Sequence, residues 1–335
     1  MNQTEASTLS RRDEVASAFF GAWVIVGLFL DGWAHNAEKP ETFFTPWHGV
    51  LYAGIFAAIA WFSIEDSRRR ARGIATEVPR PLRLAAVLVV SGGVGDLLWH
   101  EAFGIEDDIA ALLSPTHLLL MAGGLMLFAS PLRSMLDRRA PSGTMREFLP
   151  AAVAITCVTA ILSFFLQFAS PFKIDDQAAF TPGAPYEIQI RGILGLLVFN
   201  GLLLGAMAWV LQRWRPPAGT FTLLLGGVAL LDASQHGFDE AALVIPAVLG
   251  GLIADTLVYL RSRPAVVLTV TPAVMWLTWF GTYHAVWGLG WEAELWTGTT
   301  LFAALTGLGL ALLSPPAQIS DVSPGSESRG NYART

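Results

Sequence analysis

Four of the six histidines in this 335-residue chain recur in one pattern with two aspartates. Asp31-Gly-Trp-Ala-His35 is followed by Thr45-Pro46-Trp47-His48, and Asp96-Leu-Leu-Trp-His100 is followed by Ser114-Pro115-Thr116-His117. The unit reads DxxxH, a loop, then [ST]PxH. Residues four apart on a helix share a face, with Cβ atoms about 5–6 Å apart, so Asp31 should meet His35 and Asp96 should meet His100. Thr45 and Ser114 are of the residue type that caps helix N-termini, and Pro46 and Pro115 suit the first helical position. His48 and His117 then fall in the first turn of the next helix. Each unit offers one carboxylate and two imidazoles, a ligand set that suits copper, iron(II) or zinc. Soft thiolate ligation is not on offer, because the single cysteine, Cys157, sits inside an apolar run and no methionine adjoins a motif. Polar residues at the ends of membrane helices often only cap the helix or meet headgroups. Duplication of the pattern, with most of the histidines committed to it, favours a functional site instead.

The elements that must carry these motifs are membrane spans. Hydrophobic residues make up 53% of the chain and charged residues 14%, against about 25% charged in soluble domains. Apolar runs of spanning length fall at 17–36, 45–63, 83–103, 113–130, 149–168, 190–212, 218–236, 242–260, 265–285 and 295–313. The expected fold is an all-α polytopic membrane protein of about ten transmembrane helices, built from repeated hairpins of parallel orientation. The expected organisation is a cytoplasmic segment over 1–16, two metal-motif hairpins over 17–130, six further spans over 131–313 and a disordered cytoplasmic tail over 314–335. With both termini cytoplasmic, all of the 21 Lys and Arg residues except Lys39, Lys173 and Arg191 lie inside, which sets the orientation by the positive-inside rule. The first run then reads as a retained span of a plasma-membrane protein rather than a cleaved signal, and all six histidines fall at the extracytoplasmic ends of spans. A net charge of −6 without a basic stripe excludes nucleic acid as a partner. The lipid bilayer is the obligatory one.

Two further hairpins repeat the unit in part. Asp232 and His236 close the seventh span, but Val248 stands where the second histidine would be expected. His284 closes the ninth span with Phe280 in place of the aspartate, and reads as a satisfied polar residue as readily as a ligand. The loop from Ser170 to Ile190 reads as a lid or a plain connector. Trp33, Trp47, Trp99, Trp276, Trp279, Trp287, Trp291 and Trp296 crowd the same outer level, which by default makes them an interfacial belt. Trp33, Trp47 and Trp99 lie inside the motifs, where they could also wall an apolar pocket.

The segment Phe43-Phe44-Thr45-Pro46-Trp47-His48 behind Asp31-x3-His35 resembles a segment of the copper-binding membrane subunit of particulate methane and ammonia monooxygenases, where DxxxH precedes an FTPSH stretch. The second unit is similar to the next site in that family, an NxxxH followed by a PLH-like stretch. Asp96 stands where the family has asparagine, and sixteen residues separate His100 from His117. The likeness covers roughly residues 20 to 130. It implies copper as the cofactor, with Asp31, His35 and His48 as one triad and Asp96, His100 and His117 as a second. It also implies partner membrane subunits, to which a homo-oligomer is the alternative.

Three functions follow. The first is an oxygenase-like enzyme acting on a small apolar or lipid-soluble substrate. The second is a non-catalytic protein that captures or hands over copper or zinc. The third is a zinc-dependent membrane hydrolase with Glu41 or Glu101 as base. Metal transport needs polar groups at depth, and only Asp255, with Asn200 and Gln167, supplies any.

Overall fold

A computed structural model describes residues 9–39, 44–73, 80–104, 108–137, 144–172 and 178–313. The tail, Glu41, Phe43 and Lys173 lie outside the described residues. The chain is helical: α1 (Arg11–Asn36), α2 (Pro46–Ala71), α3 (Arg80–Phe103), α4 (Asp108–Leu113), α5 (Pro115–Phe128), α6 (Ser130–Asp137), α7 (Met145–Phe165), α8 (Tyr186–Leu211), α9 (Thr220–Ser234), α10 (Val244–Tyr259), α11 (Pro264–Val286) and α12 (Ala293–Leu313). Among the described residues nine helical spans, with α5 and α6 counted together, are long and apolar enough to cross a bilayer. The tenth expected span, α9, has 15 residues, which is about 22 Å of helix, and falls short of a hydrocarbon core of about 30 Å.

Local sequence explains where the helices begin. Ser10 accepts a hydrogen bond from the amide of Asp13, Ser114 accepts one from the amide of His117, and Thr144 with Glu147 forms a capping box. Proline opens α2, α5 and α11. The fourth span breaks at Ala129, and Pro131 opens the first turn of α6, where its missing N–H costs nothing.

The two motif hairpins, α1–α2 and α3–α5, pack against α7, the most buried of the spans. Close backbone approach holds each hairpin together. A Cβ on Gly27 of α1 would lie 2.7 Å from Leu51 Cα of α2, and one on Gly123 of α5 would lie 2.6 Å from Val89 Cγ2 of α3. Small residues at such crossings let the dispersion contacts of whole helices add up where lipid offers no hydrophobic drive. At the end remote from the motifs, the buried carboxylate of Asp13 binds Arg69 and accepts from Trp61 Nε1 at 3.3 Å, while Arg11 donates to Glu147 O at 2.8 Å. That end is closed by polar ties among α1, α2 and α7.

The second half carries the aromatic core. Trp276 and Trp279 are fully buried and Trp291 nearly so, which corrects their assignment to a lipid-facing belt. Trp287 alone of these four is exposed. The described parts of the connector after Ser170 pack into this aromatic core. Phe172 and Phe180 are 1% exposed, Phe180 lies 4.8 Å ring to ring from both Trp279 and Trp291, and Trp291 Nε1 donates to Ala179 O at 2.6 Å.

Candidate metal centre

Both triads are assembled as the spacing requires. Asp31 and His35 are one turn apart near the C-terminus of α1, and His48 enters from the first turn of α2 across the hairpin. His48 Nε2 stands 3.2 Å from Asp31 Oδ1, and His35 Nε2 stands 3.6 Å from Asp31 Oδ2. In the second hairpin, His117 Nε2 is 3.1 Å and His100 Nε2 3.6 Å from the same oxygen, Asp96 Oδ1. In each triad one ligand atom from every residue lies within 4.8 Å of the others. These are the two groups of three or more such side chains found among the described residues.

The second triad is braced from behind. Thr116 Oγ1 donates to Asp96 Oδ1 at 3.1 Å and lies 3.1 Å from Ser114 Oγ. Ser114 Oγ in turn accepts from the His117 amide at 3.3 Å and stands 2.9 Å from His117 Nδ1. His100 Nδ1 lies 3.2 Å from the carbonyl oxygen of Gly104, which can only accept. Gly104 adopts φ +83°, a left-handed conformation that glycine takes freely. The Nε2 atoms of both rings are thereby directed at the Asp96 carboxylate. The hydrogen bonds behind the ligands are the kind that orient metal-binding histidines.

The first triad is more open and less braced. Asp31 Oδ1 is buried and faces His48 Nε2. The His35 side chain is 37% exposed, against 17% for His100. Thr45, which matches Ser114 in sequence, makes no side-chain cap, and its buried hydroxyl has no hydrogen-bond partner among the described residues. The C-terminus of α1 is anchored instead by Asn36 Nδ2, which donates to Gln235 O at 3.1 Å.

The remaining candidates lie elsewhere. Asp232 accepts from Ser163 Oγ at 2.5 Å and Ser170 Oγ at 3.4 Å, and joins no compact ligand group with His236 among the described residues. Helix α9 ends at Ser234, and beyond it the chain tightens into i→i−3 bonds, from the His236 amide to Ala233 O at 3.4 Å and from the Gly237 amide to Ser234 O at 3.2 Å. His284 is exposed and belongs to no such group. Asp255 caps α9 from α10, accepting from the amides of Phe221 and Thr222, each at 3.0 Å, and from Thr222 Oγ1 at 2.7 Å. Its charge is accounted for structurally. Asn200 accepts from Trp276 Nε1 at 2.9 Å and donates to Ala303 O at 3.2 Å, which ties three helices together. Glu101 is exposed beside His100, and Cys157 is buried in α7. Trp33 lies under Lys39, and Trp99 packs on Phe103 with centroids 4.6 Å apart.

Ser114, Thr116, the Gly104 carbonyl and Tyr52 are the site residues that motif reading missed. Ser114 was legible as a helix cap, and the same position in the sequence put its hydroxyl beside the ring nitrogen of His117. A groove of about 420 Å³ between α2 and α3 is lined by Ile55, Ile59, Phe62 and Val89 and, toward the end remote from the triads, by Asp66, Arg70 and Arg83 among others. Its near edge, at Ile55 and Val89, is one turn from Tyr52 and Gly93, which lie beneath the triads. No family model matches the chain, and neither does any curated protein or solved structure.

Proposed function

We propose that this membrane protein holds two transition-metal ions, one in Asp31–His35–His48 and one in Asp96–His100–His117. Copper is the first choice because of the motif resemblance, with iron and zinc as alternatives of the same ligand chemistry. The observation that carries the proposal is the convergence, in both hairpins, of one carboxylate oxygen and one nitrogen from each of two imidazoles within 4.8 Å, with Ser114, Thr116 and the Gly104 carbonyl set behind the second group. Three protein ligands leave coordination positions open, as in catalytic rather than closed structural sites. Copper in such a site supplies one-electron redox chemistry toward dioxygen. The chain's own contribution is to fix the two rings and the carboxylate of each triad against one another, for chemistry on a small apolar or lipid-soluble substrate. The excess of Lys and Arg in the loops at the opposite end supports an extracytoplasmic position for the triads.

A second reading, capture and hand-over of the ion, is favoured by the exposure of His35, which gives the first triad an open rim. The full chain, purified from membranes and dialysed against equal copper, iron and zinc, should retain two equivalents of one metal. Asp31→Ala and Asp96→Ala should each lose one. No retained metal in the wild type, or no loss in either variant, would refute the reading. Oxygen consumption that depends on the metal and on an added apolar substrate separates the enzyme from the carrier.

A further inference from the structure

We infer that the groove between α2 and α3 holds one anionic phospholipid, with an acyl chain along its apolar walls and the phosphate on Arg70 and Arg83. The lipid site goes beyond the metal reading and stands whether or not the triads are filled. Helix α2 packs on α1 and α3 packs on α5, while α2 and α3, consecutive in the chain, do not pack along their length among the described residues. The space between them is the groove of about 420 Å³. On α2 its lining is one stripe at helical spacing, Ile55, Ile59, Phe62, Asp66 and Arg70, which passes from apolar to charged in a single direction. Val89 and Ala86 of α3 supply the apolar wall opposite, and Arg83, nearer the start of α3, supplies a second cation.

Length and charge together identify the occupant. Arg70 follows Ile55 by fifteen positions, about 22 Å of helix, so the stripe reaches from headgroup level to about the middle of a hydrocarbon core roughly 30 Å thick. That is the depth of one leaflet. A soluble anion would match only the charged end and an apolar solute only the other, whereas a lipid matches both. Arg70 and Arg83 against Asp66 leave one net positive charge in the lining, which a phosphodiester neutralises and a zwitterionic headgroup does not. Asp66 pairs with Arg70 at 2.7 Å, and its side chain is 15% exposed against 66% for Arg70. The carboxylate is thus the inner member of the pair, and it holds the guanidinium outward at headgroup level. Arg68 and Arg72 are exposed at the same end but outside the groove, where they add to the attraction for anionic lipid without touching the bound one.

The test is native mass spectrometry of the full chain released from nanodiscs of equal parts phosphatidylglycerol and phosphatidylcholine with the same acyl chains. The wild type should keep one phosphatidylglycerol per chain, preferred over phosphatidylcholine by at least about fivefold, the effect of one charge near the membrane surface. Arg70→Gln with Arg83→Gln should abolish the preference. Arg68→Gln with Arg72→Gln removes the same formal charge from the same end and should leave the preference in place. Ala86→Phe fills the groove with both of its arginines intact and should lose the retained lipid. Equal retention of the two lipids by the wild type, or equal effects of the two arginine pairs, would overturn the site and leave only diffuse surface attraction. Phosphatidylglycerol still retained in Ala86→Phe would likewise overturn it, and a wild-type chain released as a lipid-free dimer would show that a second copy covers the groove instead. Where Ala86→Phe does not fold, the comparison of the arginine pairs decides by itself.

Discussion

Ser114→Ala and Thr45→Ala remove a hydroxyl from equivalent places in the two repeats, and the structure predicts unequal results. Ser114 Oγ stands 2.9 Å from His117 Nδ1 and is the middle member of the chain that ends on Asp96. Loss of such a partner behind a metal ligand costs about 10–100-fold in metal affinity, or about 1.4–2.8 kcal/mol. The lost cap on α5 adds about 1 kcal/mol to the cost in fold stability, which is a separate observable. The Thr45 hydroxyl has no hydrogen-bond partner among the described residues, so alanine there should leave the first site within about 0.5 kcal/mol, roughly twofold. Each site is isolated by removing the other carboxylate, with Asp31→Ala as background for Ser114→Ala and Asp96→Ala for Thr45→Ala. Zinc affinity is then read by competition with a chromophoric chelator. Ser114→Thr keeps the hydroxyl and should restore most of the loss. Equal effects of the two alanines, or unaltered affinity in Ser114→Ala, would refute the support of the His117 ring by Ser114.

Other predictions follow from packing and capping. Gly27→Ala places a methyl 2.7 Å from Leu51 Cα, which cannot yield as a side chain would, so it should splay α1 from α2. The first site should weaken by about tenfold or more and the second should be unaffected in the same titration. Asp255→Asn takes the charge from a cap that accepts three hydrogen bonds, and should lower stability by about 1–2 kcal/mol in detergent unfolding with two metal equivalents retained. Metal uptake into vesicles that vanishes in this variant would show Asp255 to be on a transport path instead. Phe180→Ala opens a hole in the aromatic core and should cost about 3–5 kcal/mol of stability without altering metal stoichiometry. A variant of normal stability with faster metal release would mean that the connector gates the site.

The triads were legible because both of their determinants are local. The i,i+4 spacing sets Asp31 against His35, and the Ser/Thr-Pro start of the next helix sets the register of His48 and His117. What brings the two halves of each triad together is not local. It depends on Gly27 and Gly123 letting helices approach to backbone contact, and a glycine in an apolar run carries no sign of which neighbour it will meet. The same limit explains the tryptophans. Trp276 and Trp279 have the sequence position of a membrane-interface belt, but burial is decided by the connector carrying Phe172 and Phe180, which packs over them. The partial repeat at Asp232 differs in what completes it: Val248 stands where a second histidine would be, and Asp232 and His236 join no group of three such side chains among the described residues.

The central claim is that each triad closes on one ion through imidazole and carboxylate alone. X-ray absorption of the zinc-loaded full chain tests it most directly. The account predicts a first shell of nitrogen and oxygen at roughly 2.0–2.1 Å with the outer scattering of two imidazoles per zinc, and the loss of one equivalent in His117→Ala. A sulfur shell near about 2.3 Å, or zinc bound without imidazole scattering, would contradict it.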